Sequence, residues 1–437
     1  MEWQLAQWQQ IAGMIIFIAA FALIVSGSLP RAYVAWGGVI LMLLLGVESF
    51  GALWGSHLAW ETIFLYAGLM VMSGMAAETG LTAFLAVKLA QRIGGSAFRL
   101  FVVLTLVAAC GAAFLDSVSM VLILVPLTLS LTKKNGWPPL PWIIGESIAA
   151  TLGGSATLIG TVPNVLLGTL EGGALTFNDF WMRLGPIMVL SYGVLLVVFR
   201  VGYAKVWREA VLPAATLQSW DTPSLLRDKR AAAAASVVWL LVIAGFILQS
   251  KLPFSIAWIS IGGAVLLILL NVKQGRWKDA VFSVDWGTLA FLLGFIVLAG
   301  GVTRTGVMNQ AAVKLMELSS GNPGYLSLLL LWVSGIASAT LDGVPYTAAV
   351  IPLVRTLISH LDAADGSQIR ALWLSVALGT GIGSSATLLG STAHIIASGL
   401  AMREGHRLTF VQFMKFGAWT ALFSLIAASA YVIFVLL

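Results

Sequence analysis

Two aspartates stand where a chain this apolar has least use for charge. Asp116 lies in Phe114-Leu115-Asp116-Ser117-Val118-Ser119-Met120, between apolar stretches of about 16 and 13 residues. Asp342 lies in Thr340-Leu341-Asp342-Gly343-Val344-Pro345-Tyr346-Thr347, where Gly343 and Pro345 break a helix. An aspartate at membrane depth costs about 2.5–3.5 kcal/mol on insertion scales, so two at matching places need a reason. One reason is structural: each carboxylate caps a returning half-helix by accepting backbone N–H bonds. The other is chemical: each also binds protons or part of a solute. The second reading is preferred, with Asp116 and Asp342 as the proton-coupling groups. Ser117, Ser119, Gly343, Tyr346 and Thr347 stand beside them as solute contacts.

Two more segments carry polar chemistry, Gly153–Asn164 and Gly383–His394. Irregular backbone rich in Gly, Ser and Thr is tolerated in hydrocarbon only where it lines a cavity or is buried in protein. Close helix packing also uses small residues. Two such segments in register with the aspartates favour a site instead. Its candidate contacts are Gly153, Gly154, Ser155, Thr157 and Asn164, with Ser384, Ser385, Thr387 and His394 in the second segment. His394 stands where the first segment has Asn164, and a ring hydrogen-bonded to backbone is favoured there over a proton relay. Glu146, two helical turns before Gly153, is expected to reach the cavity or a neighbouring helix. Cys110 is read as a small packing residue, and as the only cysteine it forms no intrachain disulfide. Trp3, Trp8, Trp54, Trp60, Trp137 and Trp142 fall near expected membrane interfaces, where indole prefers to sit.

The elements that must position these residues follow from composition. Hydrophobic residues fill 59% of 437 positions and charged residues 10%, with a mean hydropathy of +0.97. A soluble domain carries about a quarter charged residues, so the exterior here is lipid and the bilayer is a partner. Spanning helices need about 20 apolar residues each, which gives roughly ten crossings. Met1–Gln10 lacks a basic signal region, so the apolar stretch Ile11–Val25 is expected to stay as a helix. Neither arm beside Asp116 reaches a spanning length, so a re-entrant hairpin is expected there and at Asp342.

The chain repeats itself. Trp60-Glu61-Thr62-Ile63 through Thr79-Gly80 aligns with Trp286-Gly287-Thr288-Leu289 through Thr305-Gly306, an offset of 226 that also pairs Leu115-Asp116 with Leu341-Asp342 and Pro126 with Pro352. A further shift of four aligns Gly153–Gly160 with Gly383–Gly390. The expected fold is an all-α polytopic membrane protein of two repeats, 1–199 and 231–437, joined by a basic linker, 200–230. Each repeat has about five crossings plus a re-entrant hairpin and a broken helix. An odd number of crossings inverts the second repeat. With the linker in the cytoplasm, eighteen of the 24 Lys and Arg residues, Arg31 among them, fall on that side against six on the other. Both termini are then outside the cytoplasm. The net charge of +6 is explained by this topology, with no nucleic-acid partner. Inverted repeats suit alternating access; a channel or sensor has no need of them. The sequence has no Walker A motif, no nucleophile–base pair, no metal-ligand cluster and no cofactor signal, so no enzyme is expected.

At these residues the chain resembles the ion-transporter superfamily that includes arsenite/antimonite efflux permeases, P-protein-like permeases, sodium/proton antiporters and dicarboxylate carriers. The matching pieces are Phe114-Leu115-Asp116-Ser117, Leu341-Asp342-Gly343-Val344-Pro345, Gly154–Gly160 and Ser385–Ser391. The resemblance implies a scaffold beside a mobile transport domain, elevator-like motion, often a homodimer, and for the arsenite branch an ATPase subunit as a candidate partner. Sodium-coupled dicarboxylate carriers show Ser-Asn-Thr at both tips, unlike Asp116-Ser117-Val118 and Asp342-Gly343-Val344. No basic residue lies in the four polar segments, so a dianion is disfavoured: two like charges at 4 Å cost about 4 kcal/mol at an effective dielectric of 20. A neutral trihydroxide, arsenite or antimonite, fits the hydroxyls and backbone groups, with protons as the coupling ion. The expected function is proton-coupled efflux across a bacterial inner membrane. A sodium/proton antiporter is the alternative, and a dicarboxylate transporter a more distant one. Arsenite permeases usually carry Asn near the tips, where this chain has Ser117 and Gly343, a pattern nearer the P-protein-like branch.

Overall fold

The computed structural model describes residues 5–49, 59–93, 96–171, 175–210, 225–226, 228–271, 282, 284–361 and 365–437, and the regular structure among them is helical. The first half runs α1 (Gln7–Ser26), α2 (Arg31–Leu44), α3 (Trp60–Glu78), α4 (Leu81–Ile93), α5 (Ala97–Leu115), α6 (Ser117–Asn135), α7 (Leu140–Gly154), α8 (Val162–Leu170) and α9 (Phe177–Gly202). A short α10 (Ala204–Glu209) follows. The second half keeps the order: α11 (Lys229–Ile247), α12 (Ile256–Asn271), α13 (Trp286–Thr303), α14 (Val307–Ser319), α15 (Pro323–Thr340), α16 (Gly343–Ser359), α17 (Gly366–Ser384), α18 (Thr392–Arg403) and α19 (Phe410–Leu436). Among the described residues, nine of these helices are long and apolar enough to cross a membrane: α1, α3, α5, α6, α9, α11, α13, α15 and α19. Their outer faces carry exposed apolar side chains, such as Val189, Val197 and Val201 on α9 and Ile426 and Phe434 on α19, which suit lipid.

The halves interleave. Helix α3 packs on α12, and α13 packs on α2, so each half lends its second helix to the other's third. Ser260 Oγ donates to Leu65 O at 2.9 Å across the first contact, and Trp36 Nε1 to Ala290 O at 2.9 Å across the second. Arg304 meets the buried Glu48 at 3.3 Å and ties the turn after α13 to the end of α2. The broken helices also cross over: α8 packs on α16 and α18 on α6, while α9 lies along α19.

Within each half the broken helix presses on the hairpin's outgoing arm. A Cβ on Gly153 would lie 2.1 Å from Ala109 O of α5, and one on Gly383 would lie 2.1 Å from Gly335 O of α15. Only glycine permits backbones this close. The same pairing is sealed by Thr157 Oγ1 donating to Ala113 O and Thr387 Oγ1 to Ala339 O, each at 2.5 Å.

Several expectations change. The hairpin arms are longer than the apolar stretches: α5 and α6 have 19 residues each, α15 has 18 and α16 has 17. The helices continue past the apolar residues because Arg99 and Lys133–Lys134 extend them at their polar ends. Trp142 is fully buried against Trp137, Phe101 and Trp207. Cys110 is exposed, so it is not a packing residue. The two amphipathic helices α4 and α14 have no counterpart among the expected elements, because their polar faces dilute an apolar signal. Helices α9 and α10 occupy 200–209 of the expected linker. Trp3, Trp54, Arg227, Lys273, Arg276, Lys278 and residues 211–224 lie outside the described residues.

Candidate functional site

The two hairpin tips and the two helix breaks meet at one cavity of about 570 Å³. Helix α6 starts at the first tip and α16 at the second. Helices α8 and α18 restart after the breaks at 155–161 and 385–391. Four helix N-termini therefore border one space. Three cavity aspartates cap helices there: Asp116 caps α6, Asp342 caps α16 and Asp285 caps α13. The caps Thr161 and Ser391 make no side-chain cap bond, so the N–H groups of Val162 at the start of α8, where Pro163 has none, and of Thr392 at the start of α18 are left to other acceptors. Half-helix N-termini at such a break present partial positive charge to a solute.

Asp116 is half-buried within a cage of donors. Its Oδ1 accepts from Val118 N at 2.8 Å and Ser119 N at 2.9 Å. Its Oδ2 accepts from Ser119 Oγ at 2.6 Å and Ser73 Oγ at 3.1 Å. Ser73 has one proton for this contact and for Leu115 O, which lies closer to its Oγ, so the two acceptors share it. Asp342 is held differently: Oδ1 accepts from Val344 N at 3.2 Å, while Oδ2 accepts from Arg31 NH1 at 2.6 Å and Thr392 Oγ1 at 3.1 Å. Asp285 accepts from Thr288 N at 3.0 Å and Thr288 Oγ1 at 2.6 Å.

The candidate residues divide. Asp116, Ser117, Ser119, Ser155, Asp342, Gly343 and Ser384 line the cavity. Gly153, Gly154, Thr157, Asn164, Tyr346, Thr347, Ser385, Thr387 and His394 are not among its lining residues. The glycines among them allow close backbone approach, and several of the others hold the walls in place through their side chains. Asn164 Nδ2 donates to Ser155 O at 3.0 Å and Thr157 O at 2.7 Å, stapling the first break. His394 does the same work for the second, with Nδ1 at 3.0 Å from Thr387 O and Nε2 at 3.0 Å from Thr151 Oγ1. Tyr346 pairs with Ser334 at 2.9 Å inside the second hairpin, and Thr347 is buried there. Glu146 also turns from the cavity and accepts from Thr128 Oγ1 at 2.5 Å between α7 and α6.

The largest correction concerns charge. Arg31, expected among the basic residues of the cytoplasmic face, lines the cavity and pairs with Asp342. The carboxylates are therefore not without a basic partner, because α2 supplies one from outside the four polar segments. Sequence reasoning also missed Tyr66, Asp285, Thr288, Phe291 and Thr380 on the cavity wall. A usable signal existed at Arg31: the offset of 226 pairs it with the uncharged Ala257.

Comparison with known proteins agrees with this architecture. The family model described as CitMHS, citrate transporter, matches residues 21–379. An uncharacterized transporter of Mycobacterium tuberculosis is 30% identical over 424 residues, covering 96% of this chain and 97% of that one. The magnetosome protein MamN of Magnetospirillum gryphiswaldense is 28% identical over 396 residues, covering 87% and 86%. Among solved structures, Neisseria gonorrhoeae MtrF, described as illuminating a class of antimetabolite efflux pumps, shares the fold with a TM-score of 0.61 at 13% identity, over 97% of this chain and 94% of that one. The chain thus belongs to the CitMHS citrate-transporter family and is a multi-pass membrane transporter.

Proposed function

We propose that this transporter exports arsenite and antimonite, as their neutral trihydroxides, in exchange for protons, with the cavity opening alternately to the two sides. The observation that carries the reading is the cavity's charge. Three carboxylates face one guanidinium, and that guanidinium is already paired with Asp342. A free polyanion would meet Asp116 and Asp285 uncompensated. A neutral triol meets no such penalty: its O–H groups donate to hydroxyls and carboxylates, and its oxygens accept from the open N–H groups of α8 and α18.

The coupling proton belongs on Asp116. Its Oδ2 touches two hydroxyls, Ser73 and Ser119, and a hydroxyl turns from donor to acceptor when the oxygen beside it gains a proton. Asp342 lacks this freedom while Arg31 holds its Oδ2, because a guanidinium has no acceptor. Asp342 follows only when Arg31 moves away. Elevator-like motion fits, since the ion pair joins α2 to a hairpin tip that packs with the broken helices. We take the second half to be inverted relative to the first, the basic linker to be cytoplasmic and both termini to lie outside; a cytoplasmic signal from a reporter fused at Leu437 overturns that orientation.

A second reading is favoured by Arg31 itself. A guanidinium is suited to forked binding of a carboxylate, and the matching family model is described as a citrate transporter. Proteoliposomes separate the two. Arsenite counterflow driven by a pH gradient, with no citrate flux, supports the first. Citrate flux without arsenite flux replaces it with the second. Sodium-dependent proton movement without either solute would make the chain a sodium/proton antiporter instead.

A further inference from the structure

The Arg31–Asp342 pair is an incomplete match. Asp342 uses Oδ1 to cap α16 through Val344 N, so only Oδ2 is offered to the guanidinium. Arg31 in turn makes the contact through NH1 alone. A carboxylate with both oxygens free binds a guanidinium through two parallel bonds, which is stronger and more directional. The Arg31 side chain is 36% exposed against 9% for Asp342, so the guanidinium keeps a face open to the cavity while the aspartate is enclosed.

Other donors stand around the same tip. Thr392 Oγ1 already donates to Asp342 Oδ2, and the uncapped start of α18 follows from Ser391. Thr380 lines the cavity with its methyl turned to Gly343, while its hydroxyl is buried in the wall.

We infer that Arg31 is the specificity-determining residue of this cavity and that Asp342 is its built-in competitor. In the structure Asp342 occupies the guanidinium in the manner of a tethered ligand. A small molecule bearing a free carboxylate displaces it by offering both oxygens, whereas a neutral solute leaves the ion pair intact. The chain thereby discriminates against carboxylates to the degree that Asp342 holds Arg31. The inference rests on the cavity being the solute site, but not on which solute is carried.

Citrate binding to the purified full-length chain in lipid nanodiscs, measured by calorimetry, tests it. Asp342→Asn keeps the Oδ1 cap and removes the competing charge. It should bind citrate at least about tenfold more tightly than the unaltered chain, the scale of one charge-assisted interaction. Arg31→Gln in the Asp342→Asn background should remove that gain. No gain in Asp342→Asn, or a gain that survives Arg31→Gln, overturns the inference. If Asp342→Asn does not yield a monodisperse protein, Arg31→Lys in the otherwise unaltered chain decides. Lysine keeps the charge without the fork, so weaker citrate binding supports the inference and unchanged binding overturns it. Arsenite counterflow is read separately, so its absence would retire the export reading while leaving this outcome untouched.

Discussion

The two hairpin tips carry the same acid at the same place, and the protein holds each by a different means. Asp116 sits at φ 94° and ψ 153°, a region almost reserved for glycine, at a cost of about 1–3 kcal/mol. Four donors from backbone and serine hydroxyls surround it. Asp342 is relaxed at φ −45° and ψ 135°, and its hydroxyl cage is missing. The sequence supplies the reason. Ser73 has Ala299 as its counterpart, and Ser119 has Pro345, which offers neither a hydroxyl nor an N–H. Two amide bonds and two hydroxyl bonds in the first tip shrink to one amide bond in the second. Arg31 and Thr392 fill the gap. The repeat preserves the position of the acid, while neighbours lent by other elements decide its surroundings: hydroxyls and amides at one tip, a guanidinium at the other.

The comparison is broken most severely where the two halves agree. Gly153→Ala and Gly383→Ala each push a methyl into backbone, at Ala109 and Gly335 respectively, with no side chain able to yield. Each should destabilise by about 3 kcal/mol or more, at the upper end of overpacking costs. Thermal unfolding in detergent should show a large fall for both. A fall in one half only would mean that the crossing supports the fold in just that half.

Next in size is the split between the aspartates. Asp116→Asn preserves the cap, since asparagine's Oδ1 still accepts from Val118 N and Ser119 N. It removes the oxygen proposed to carry the coupling proton, and pH-gradient-driven flux should fall about tenfold or more, the usual size of a coupling between two sites. Asp342→Asn should keep its response to the gradient while altering which solute is taken. Equal loss of gradient dependence in both variants, measured in proteoliposomes, would erase the distinction. Removing one donor is milder: Ser119→Ala takes a hydroxyl from a half-buried carboxylate and should cost about 2 kcal/mol, within the range for bonds to charged groups. Ser73→Ala, whose bond is longer, should lower the unfolding temperature less.

What the sequence made legible was local. The breaks, the capping aspartates and the small residues at the crossings all lie within short repeated segments, so comparing the halves exposes them. Directions were less legible. Asn164 and His394 announce polar chemistry, but a hydrogen bond back to a carbonyl seven residues away is as compatible with their position as a bond into the cavity. Arg31 was hidden for another reason. Its partner is 311 positions distant, and a basic residue beside Pro30 at a helix start reads as an ordinary topological charge. Departures from the repeat were the better guide: Arg31 against Ala257, and Thr380 against Ala150, are polar on one side only. In a duplicated chain, symmetric residues report the scaffold and asymmetric ones point to where the two halves do different work.

The smallest effect sharpens that point. Thr392 donates to Asp342 Oδ2 at 3.1 Å but is exposed, so water replaces its bond at little cost. The first half already has Val162 at the matching position, one residue past the cap Thr161. Thr392→Val therefore makes the second tip resemble the first at this one place, without touching Arg31. A net loss of about 0.5 kcal/mol, the low end for a hydrogen bond, corresponds to a change of two- to threefold in apparent solute affinity. If Thr392→Val instead matched Asp342→Asn in its effect on citrate binding, the hydroxyl rather than the guanidinium would be holding Asp342. The contrast between the tips would then rest on a single threonine, because an ion pair that lets go when a neutral neighbour is removed contributes little hold of its own.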